Sequence, residues 1–260
     1  MAFIAGTGFV RVLSRPSTCA SSRKCSVLNM SLEQEDKVVV KEYFNTKGFD
    51  RWSRIYSEDG EINNVQKDIR EGHQITIDTI LQWLDEEGNL SQRKICDAGC
   101  GVGSLAIPLA QRGATVSASD ISESMANEGR ARADAILGAD ASRVTFEAAD
   151  LESLAGSYDL VCCVDVLIHY PDEKLRDMIG HLGSLTTGQL IFSFAPRTPL
   201  LALLKKVGDF FPGPSKATRA YLHAEDEVVS ILSELGFKVV RRSETRAKFY
   251  FSTVLQVERA

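Results

Sequence analysis

The chain has 260 residues, enough for one α/β domain with a large core and a few additional segments. Hydrophobic residues make up 44% of it and charged residues 25%, as in ordinary globular proteins. The formal net charge of -5 argues against a nucleic-acid partner, and no apolar run approaches the roughly 20 residues of a membrane-spanning helix.

The first 30 residues differ in composition from the rest of the chain. They are basic and rich in Ser and Thr, and no Asp or Glu occurs before Glu33. This composition is typical of an organelle transit peptide, although it does not separate plastid from mitochondrion. We expect residues 1–30 to be disordered and cleaved; a tail with no targeting role is the alternative.

Two helical segments are predicted next. The first covers residues 32–56, and the second runs from Val65 to Leu84, where apolar residues recur at helical spacing before a stop at Gly88 and Asn89. Aromatic and basic side chains alternate in the first segment, which indicates either a cover over a flat apolar ligand or an amphipathic helix with a solvated basic face. The family resemblance described below implies that residues 31–90 form an N-terminal helical lid.

Strand and helix patterns alternate from Lys94 onward, and this alternation predicts a parallel sheet with right-handed crossovers. The expected fold is α/β, a Rossmann-like, doubly wound and mostly parallel seven-stranded sheet over residues 91–260. Its predicted strands are 94–97, 114–119, 144–148, 158–166, 189–194, 238–242 and 249–257; its predicted helices are 104–112, 123–137, 173–185 and 225–235. An amphipathic insertion at about 197–220 is expected to cover a substrate or to lie on a membrane surface.

A glycine loop follows the first predicted strand, with the sequence Asp97-Ala98-Gly99-Cys100-Gly101-Val102-Gly103. Dinucleotide sites have the spacing G-x-G-x-x-G, with a pyrophosphate at the helix N-terminus. The spacing here is G-x-G-x-G and an acid precedes it, which favours S-adenosylmethionine, a cofactor with an ammonium and a ribose but no phosphate. Cysteines lack the C-x2-C spacing of zinc sites, so no protein-bound metal is predicted.

Two further aspartates end the second and third predicted strands. Asp120 is placed to accept hydrogen bonds from both ribose hydroxyls, and Asp150 to bind the adenine amino group. Each alone is equally well read as a helix cap. Ile121 and Leu151 are expected to sandwich the adenine. The predicted cofactor-binding residues are Asp97, Ala98, Gly99, Cys100, Gly101, Gly103, Asp120, Ile121, Met125, Asp150, Leu151 and Val164.

The acceptor side of the site is expected where the fourth strand ends. His169 lies in this region, and its alternative role is to cap a buried turn before Pro171. Tyr56 is the second predicted catalytic residue. Residues proposed to contact the substrate belong to the lid: Phe49, Arg51, Trp52, Arg54, Arg70 and His73.

Several runs of sequence resemble the magnesium-protoporphyrin IX methyltransferase family, from about Lys37 to the C-terminus. The glycine loop is generic to methyltransferases, whereas the lid runs are more specific. These runs are Glu42-Tyr43-Phe44, Gly48-Phe49-Asp50-Arg51-Trp52, Arg54-Ile55-Tyr56, Val65-Gln66, Ile69-Arg70-Glu71-Gly72-His73, Cys96-Asp97-Ala98-Gly99-Cys100-Gly101-Val102-Gly103-Ser104 and Asp165-Val166-Leu167-Ile168-His169-Tyr170.

The resemblance implies methyl transfer from S-adenosylmethionine to one propionate of magnesium protoporphyrin IX, giving the monomethyl ester in chlorophyll biosynthesis. Magnesium then enters only as part of the porphyrin substrate. The resemblance also implies a chloroplast location, in solution or peripheral on the thylakoid or envelope membrane, and magnesium chelatase as a partner. Alternatives are a non-catalytic tetrapyrrole carrier, a methyltransferase for another small molecule and, disfavoured by the glycine spacing, a nicotinamide dehydrogenase.

Overall fold

Seven strands form a single sheet, seen in a computed structural model that describes residues 38, 40–55, 62–198 and 220–260. The predicted transit peptide, Tyr56 and nearly all of the predicted insertion lie outside the described residues. The strands are β1 (Lys94–Ala98), β2 (Thr115–Asp120), β3 (Val144–Ala148), β4 (Tyr158–Cys163), β5 (Thr186–Phe194), β6 (Phe237–Arg246) and β7 (Phe251–Arg259).

The strand order is β3-β2-β1-β4-β5-β7-β6. The pairs formed by β3, β2, β1, β4 and β5 are parallel, whereas β7 runs antiparallel to both β5 and β6. The chain leaves β1 toward one edge of the sheet and returns to β4 on the other side of β1. This reversal opens a crevice at the carboxyl ends of β1 and β4, where ligands bind in doubly wound sheets. The predicted fold class is confirmed.

Six helices accompany the sheet in the described part of the chain. They are α1 (Lys47–Ile55), α2 (Asn64–Glu87), α3 (Ala106–Gln111), α4 (Glu123–Leu137), α5 (Asp172–Leu185) and α6 (Glu225–Glu234); residues 40–45 are helical as well. Short 3-10 turns occupy Gly138–Arg143, Leu151–Ser153 and Leu167–His169.

Alternate side chains of the central strands enter two hydrophobic cores, one on each face of the sheet. Leu160 and Cys162 of β4 face one core, and Val161 and Cys163 face the other. Strands buried on both faces have continuous apolar sequences, which is why β4 was recognisable from sequence. Helices α3 and α4 cover the first face, and α5 and α6 cover the second.

The second half of α2 packs in the core of the sheet domain, while the lid assigned to residues 31–90 stays a prediction. Ile77, Ile80 and Leu84 are each at most 1% exposed and pack in the same core as β1 and α3. Arg112, directly after α3, binds both carboxylate oxygens of Asp85 at 2.7 and 2.9 Å. These contacts fix the second half of α2 on the sheet.

Several predicted boundaries also shift, those of β4 and β6 among them. Strand β4 ends at Cys163 instead of residue 166, because Asp165 adopts a left-handed backbone with φ 59° and turns the chain. Strand β6 extends to Arg246, four residues beyond its predicted end. None of the described helices has the length and apolar character needed to cross a bilayer.

Helix α2 begins with a capping box, which generates a prediction about stability. The Asn63 side chain accepts from the Gln66 amide at 2.9 Å, and the Gln66 side chain accepts from the Asn63 amide at 3.1 Å. Replacing Asn63 with Ala should lower the free energy of unfolding by about 1 kcal/mol, because the Gln66 amide loses its acceptor. Chemical denaturation measures this change. Asn64→Ala, one residue further into the helix, is the control and should cost nothing.

Candidate active site

The glycine loop leaves β1 in a tight turn that only glycine readily adopts. Gly99, Gly101 and Gly103 have φ values of 82°, 53° and 87°. A Cβ on Gly99 would lie 2.0 Å from Cγ2 of Val166, so the loop packs directly against the chain that follows β4. A Cβ on Gly101 would meet no described atom within 4 Å. The open side of the loop is therefore at Gly101, where a ligand can approach the backbone.

Asp97, at the end of β1, is 2% exposed, and its Oδ2 has no hydrogen-bond partner among the described residues. Burial raises the pKa of this carboxyl from 3.8 to about 7, opposed by a hydrogen bond from the Ala106 amide and assisted by the charge of Asp120. A buried acceptor without a donor is costly, and a cation beside it removes that cost. This carboxylate fits the ammonium of an adenosylmethionine-type ligand.

Asp120, at the end of β2, is held in place by backbone amides. Its Oδ2 accepts from the Gly101 amide at 3.0 Å and its Oδ1 from the Ser122 amide at 2.8 Å. Burial raises its pKa, although both hydrogen bonds oppose the rise. Each oxygen retains a lone pair that can accept a ribose hydroxyl. The same carboxylate thus orders the glycine loop and faces the crevice.

Asp150 follows β3 and caps the turn Leu151–Ser153, with its side chain accepting from the Glu152 amide at 3.1 Å. The helix-cap alternative raised for this residue is therefore observed, and a role toward adenine stays a prediction. Of the other predicted cofactor residues, Ile121 is half-buried, whereas five are buried: Ala98, Cys100, Met125, Leu151 and Val164.

His169 ends the turn Leu167–His169 and meets an aromatic cluster from the N-terminal segment. Its ring lies edge-on to Phe44, with centroids 5.6 Å apart, and Phe44 lies 6.4 Å from the ring of Trp52. The structure thus brings the predicted acceptor residue together with the predicted cover. Side chains from two distant parts of the sequence form one aromatic wall, defined here by Phe44, Trp52 and His169.

The predicted arginine anchors have different environments. Arg70 donates to the carbonyls of Ile55 and Arg54, the latter at 3.0 Å, and so caps the end of α1. Arg54 is exposed, with its Nε bonded to the Asp50 carbonyl at 2.9 Å. The guanidinium of Arg51 lies 6.0 Å from the Trp52 ring centroid, at the aromatic wall. Arg51 is therefore the best placed of the three to meet an anionic substrate. Phe49, also on α1, is half-buried.

Nδ1 of His73 lies 2.8 Å from Oδ2 of Asp165, and the contact of His73 with substrate stays a prediction. Sequence reasoning missed Asp165 as a site residue, although it lies in the same run as His169. The contacts from His73, Tyr250 and Ser193 lower its pKa against the opposing effect of burial. No sequence signal links partners that lie 92 and 85 residues apart.

A second group missed from the sequence is His223, which supports the turn that carries His169. It is fully buried, with Nδ1 2.7 Å from Oδ1 of Asp172 and Nε2 3.1 Å from the Leu167 carbonyl. Both ring nitrogens therefore contact oxygen atoms of the segment that carries His169. The Tyr221 amide also donates to the Ile168 carbonyl at 2.8 Å. The contacts of His223 and Tyr221 thus fix the turn that carries His169.

The N-terminal segment is joined to the cofactor side by Asn45. Its Oδ1 lies 2.9 Å from the Ser122 hydroxyl and accepts from the Ser124 amide at 3.2 Å. Ser122 is the N-cap residue of α4 and stands two residues from Asp120. The cover therefore contacts both sides of the crevice, at α4 through Asn45 and at His169 through Phe44.

Comparison with known proteins identifies the family. A sequence profile described as magnesium-protoporphyrin IX methyltransferase C-terminus matches residues 163–259, and a methyltransferase domain profile matches 95–187. Magnesium-protoporphyrin O-methyltransferase of a Synechocystis species is 53% identical over 226 residues, which cover 87% of this chain and 97% of that protein. This chain belongs to the magnesium-protoporphyrin IX methyltransferase family.

Other members of the family agree with this assignment. Magnesium protoporphyrin IX methyltransferase, chloroplastic, of Arabidopsis thaliana is 52% identical over 221 residues, covering 85% of this chain and 70% of that protein. The crystal structure of the Synechocystis enzyme with bound SAH has a TM-score of 0.80 and 52% identity, and the match covers 86% of this chain and all of that one. A related crystal structure of that enzyme contains SAM.

Substitutions of the loop glycines should separate folding from ligand binding. Gly99→Ala should lower the free energy of unfolding by more than about 2 kcal/mol. The new Cβ would clash with Val166, and alanine would also be strained in the left-handed backbone conformation at this position. Gly101→Ala should cost only about 1–2 kcal/mol of strain but weaken binding of S-adenosylhomocysteine about 10-fold or more. Denaturation and calorimetry measure these effects. Gly180→Ala, within α5, has an ordinary contact at 3.5 Å and is the control. Unchanged affinity in Gly101→Ala would contradict the assignment of the open side.

The raised pKa of Asp97 makes ligand binding depend on pH. A cation beside Asp97 favours the carboxylate, so affinity for S-adenosylhomocysteine should rise between about pH 6 and about pH 8. Without ligand, this residue should make stability fall as pH rises from about 4 to about 7, because the folded state retains a proton that the unfolded state has released. Calorimetry and thermal unfolding measure the two trends. Asp97→Asn should bind more weakly and lose both, while Asp85→Asn should keep them.

Proposed function

We propose that this chain transfers the methyl group of S-adenosylmethionine to a propionate carboxylate of magnesium protoporphyrin IX, giving the monomethyl ester. The observation that carries the proposal is the buried Oδ2 of Asp97, without a partner among the described residues, beside a glycine loop whose open side is at Gly101. Membership of the family, with 53% identity to the Synechocystis enzyme, supports the choice of porphyrin substrate.

The chain's residues serve to position the reactants and need not move a proton. Bound S-adenosylmethionine supplies an activated methyl group: a carboxylate oxygen forms the new C–O bond while the C–S electron pair returns to sulfur. A propionate has a pKa of roughly 4–5 and is already ionised at neutral pH, so no general base is required. Alignment and exclusion of water are then the main contributions of the protein, and alignment can supply roughly 7–11 kcal/mol.

We assign the porphyrin to the side of the crevice bounded by the aromatic wall. Aromatic rings offer a flat apolar surface to a flat macrocycle, and the edge of His169 is presented there by a turn fixed by His223 and Tyr221. His169 and Tyr56 orient the carboxylate or lie near the chelated magnesium. Arg51, against Trp52, is suited to hold a propionate charge at the rim.

The proposed setting is the plastid, where residues 1–30 act as a transit peptide. Their composition and the name of the Arabidopsis relative, which is described as chloroplastic, support this placement. Because the substrate is a metalated porphyrin, a magnesium chelatase must supply it, and we propose that enzyme as the neighbouring partner. Peripheral contact with the thylakoid or envelope membrane is proposed for the segment at about 197–220.

One assay tests the proposed reaction. Purified protein is incubated with methyl-labelled S-adenosylmethionine and either magnesium protoporphyrin IX or metal-free protoporphyrin, and labelled ester is extracted and counted. We expect ester from the magnesium porphyrin. Its absence, with folded protein that still binds S-adenosylhomocysteine, would overturn the proposal.

Two variants extend the assay to the acceptor side. His169→Ala and Tyr56→Phe should lower turnover about 10-fold to 100-fold, because misplaced reactants lose alignment. Their affinity for S-adenosylhomocysteine should stay within about threefold of wild type, since neither residue belongs to the glycine loop. Unchanged turnover in both variants would remove these residues from the mechanism.

A further inference from the structure

Asp165 is the described non-glycine residue with a left-handed backbone, at φ 59°. Such a conformation is uncommon outside glycine and persists only where surrounding contacts enforce it. It occurs two residues after β4 ends, at the carboxyl edge of the sheet that also carries Asp97. The strained residue therefore stands beside the proposed site of methyl transfer.

The contacts that enforce this conformation come from three separate elements. The carboxylate accepts from Nδ1 of His73 on α2 at 2.8 Å and from the hydroxyl of Tyr250, just before β7, at 2.9 and 3.0 Å. The hydroxyl of Ser193 on β5 lies 3.1 Å from Oδ1, and its oxygen accepts from the Asp165 amide at 2.8 Å. The contacts with His73 and Tyr250 lower the pKa of the Asp165 carboxyl, which favours its ionised form. Burial and the charge of Asp165 raise the pKa of the Tyr250 hydroxyl.

One face of α2 is fixed by the same cluster. A Cβ on Gly72 would lie 2.5 Å from Cδ1 of Tyr250, so the helix backbone passes directly over that ring. Thr76, one turn further on, lies 3.1 Å from the Tyr250 hydroxyl and 3.0 Å from the hydroxyl of Thr245. The Asp68 carboxylate accepts from the Lys248 amide at 3.2 Å. The carboxylate of Asp165 is thus the point where this helix face reaches the end of β4.

The left-handed turn also sets the course of the chain beyond it. Val166 packs against the backbone of Gly99 in the glycine loop, and Leu167 continues into the turn that ends at His169. A change in the backbone at Asp165 should therefore displace the acceptor-side histidine more than the ligand-facing side of the glycine loop, because Val166 contacts Gly99 and no described atom lies within 4 Å of a Cβ at Gly101. Neither His169 nor the glycine loop touches the carboxylate in the hydrogen bonds described, so any effect of Asp165 on them is indirect.

We propose that Asp165 is a positioning residue for methyl transfer, an inference that rests on the proposed function: its carboxylate, held by His73, Tyr250 and Ser193, fixes the turn that places His169 opposite the glycine loop. The residue acts through the backbone of 165–169 and through α2. In this proposal, His73 is the donor that keeps the Asp165 carboxylate in place.

The variants at this position separate backbone strain from the carboxylate. Asp165→Asn keeps a residue that tolerates the left-handed conformation but removes the charge, and Asp165→Gly removes the side chain without strain. Both should lower kcat about 10-fold to 100-fold and raise the KM for magnesium protoporphyrin IX, while affinity for S-adenosylhomocysteine stays within about threefold. Asp165→Ala should also lose thermal stability relative to Asp165→Gly. Asp78→Asn, at an exposed carboxylate of α2 that is bonded to Gln74 of the same helix, is the matched control and should match wild type.

Variants of the donor test whether the carboxylate is the operative group. His73→Asn places an amide N–H where Nδ1 stands and should retain most activity, whereas His73→Leu should resemble Asp165→Asn. The double variant His73→Leu/Asp165→Asn should be no worse than either single variant, because the two residues act as one pair. Three results would each overturn the proposal. They are full activity of Asp165→Gly, losses of activity in the double variant that equal the sum of the single losses, and losses of activity that only follow the fraction of folded protein.

Amide hydrogen exchange gives a readout that does not depend on the reaction. Exchange at residues 72–76 and 166–169 should be about 10-fold faster in Asp165→Asn than in wild type and unchanged in Asp78→Asn. If wild type forms no ester, the proposed function fails while this comparison still decides the role of Asp165. Faster exchange would support its control of the turn, and unchanged exchange would refute it.

Discussion

The structure depends on two carboxylates at one edge of the sheet, Asp97, which is buried, and Asp120, which is half-buried. Asp97 and Asp120 end adjacent parallel strands, and removal from water raises the pKa of both. Amides of the glycine loop and of the following turn satisfy Asp120, whereas Oδ2 of Asp97 has no donor among the described residues. The fold thereby retains a site of unbalanced negative charge whose stability improves when a cation binds, as linkage between binding and folding requires.

Local sequence patterns predicted the features that local chemistry controls. Continuous apolar runs predicted β4, alternation of strands and helices predicted the doubly wound sheet, and the spacing of Gly99, Gly101 and Gly103 predicted the tight loop. Aspartates at strand ends could be placed at one edge because parallel strands share a direction. The position of His169 followed from the same rule, whereas its edge-on contact with Phe44 required the tertiary structure.

Features that depend on contacts distant in sequence were not predictable. Nothing in the Ile69–His73 run indicates that Arg70 caps α1 or that His73 binds Asp165, because a basic or imidazole side chain suits a substrate carboxylate as well as a protein oxygen. The burial of Ile77 and Ile80 was likewise compatible with a movable amphipathic helix. Sequence identifies the chemical type of each side chain, and packing decides which partner it meets.

The bridge between Pro196 and His223 has a consequence for how this family can diversify. The Arg197 amide donates to the His223 carbonyl at 2.7 Å, and the His223 amide donates to the Ala195 carbonyl at 2.9 Å. These bonds join the chain that precedes residues 199–219 to the chain that follows them. Loop-closure entropy changes slowly with length once the ends are joined. Evolution or an engineer can therefore trim, lengthen or exchange that stretch, or graft a foreign peptide there, while the turn that carries His169 keeps its shape.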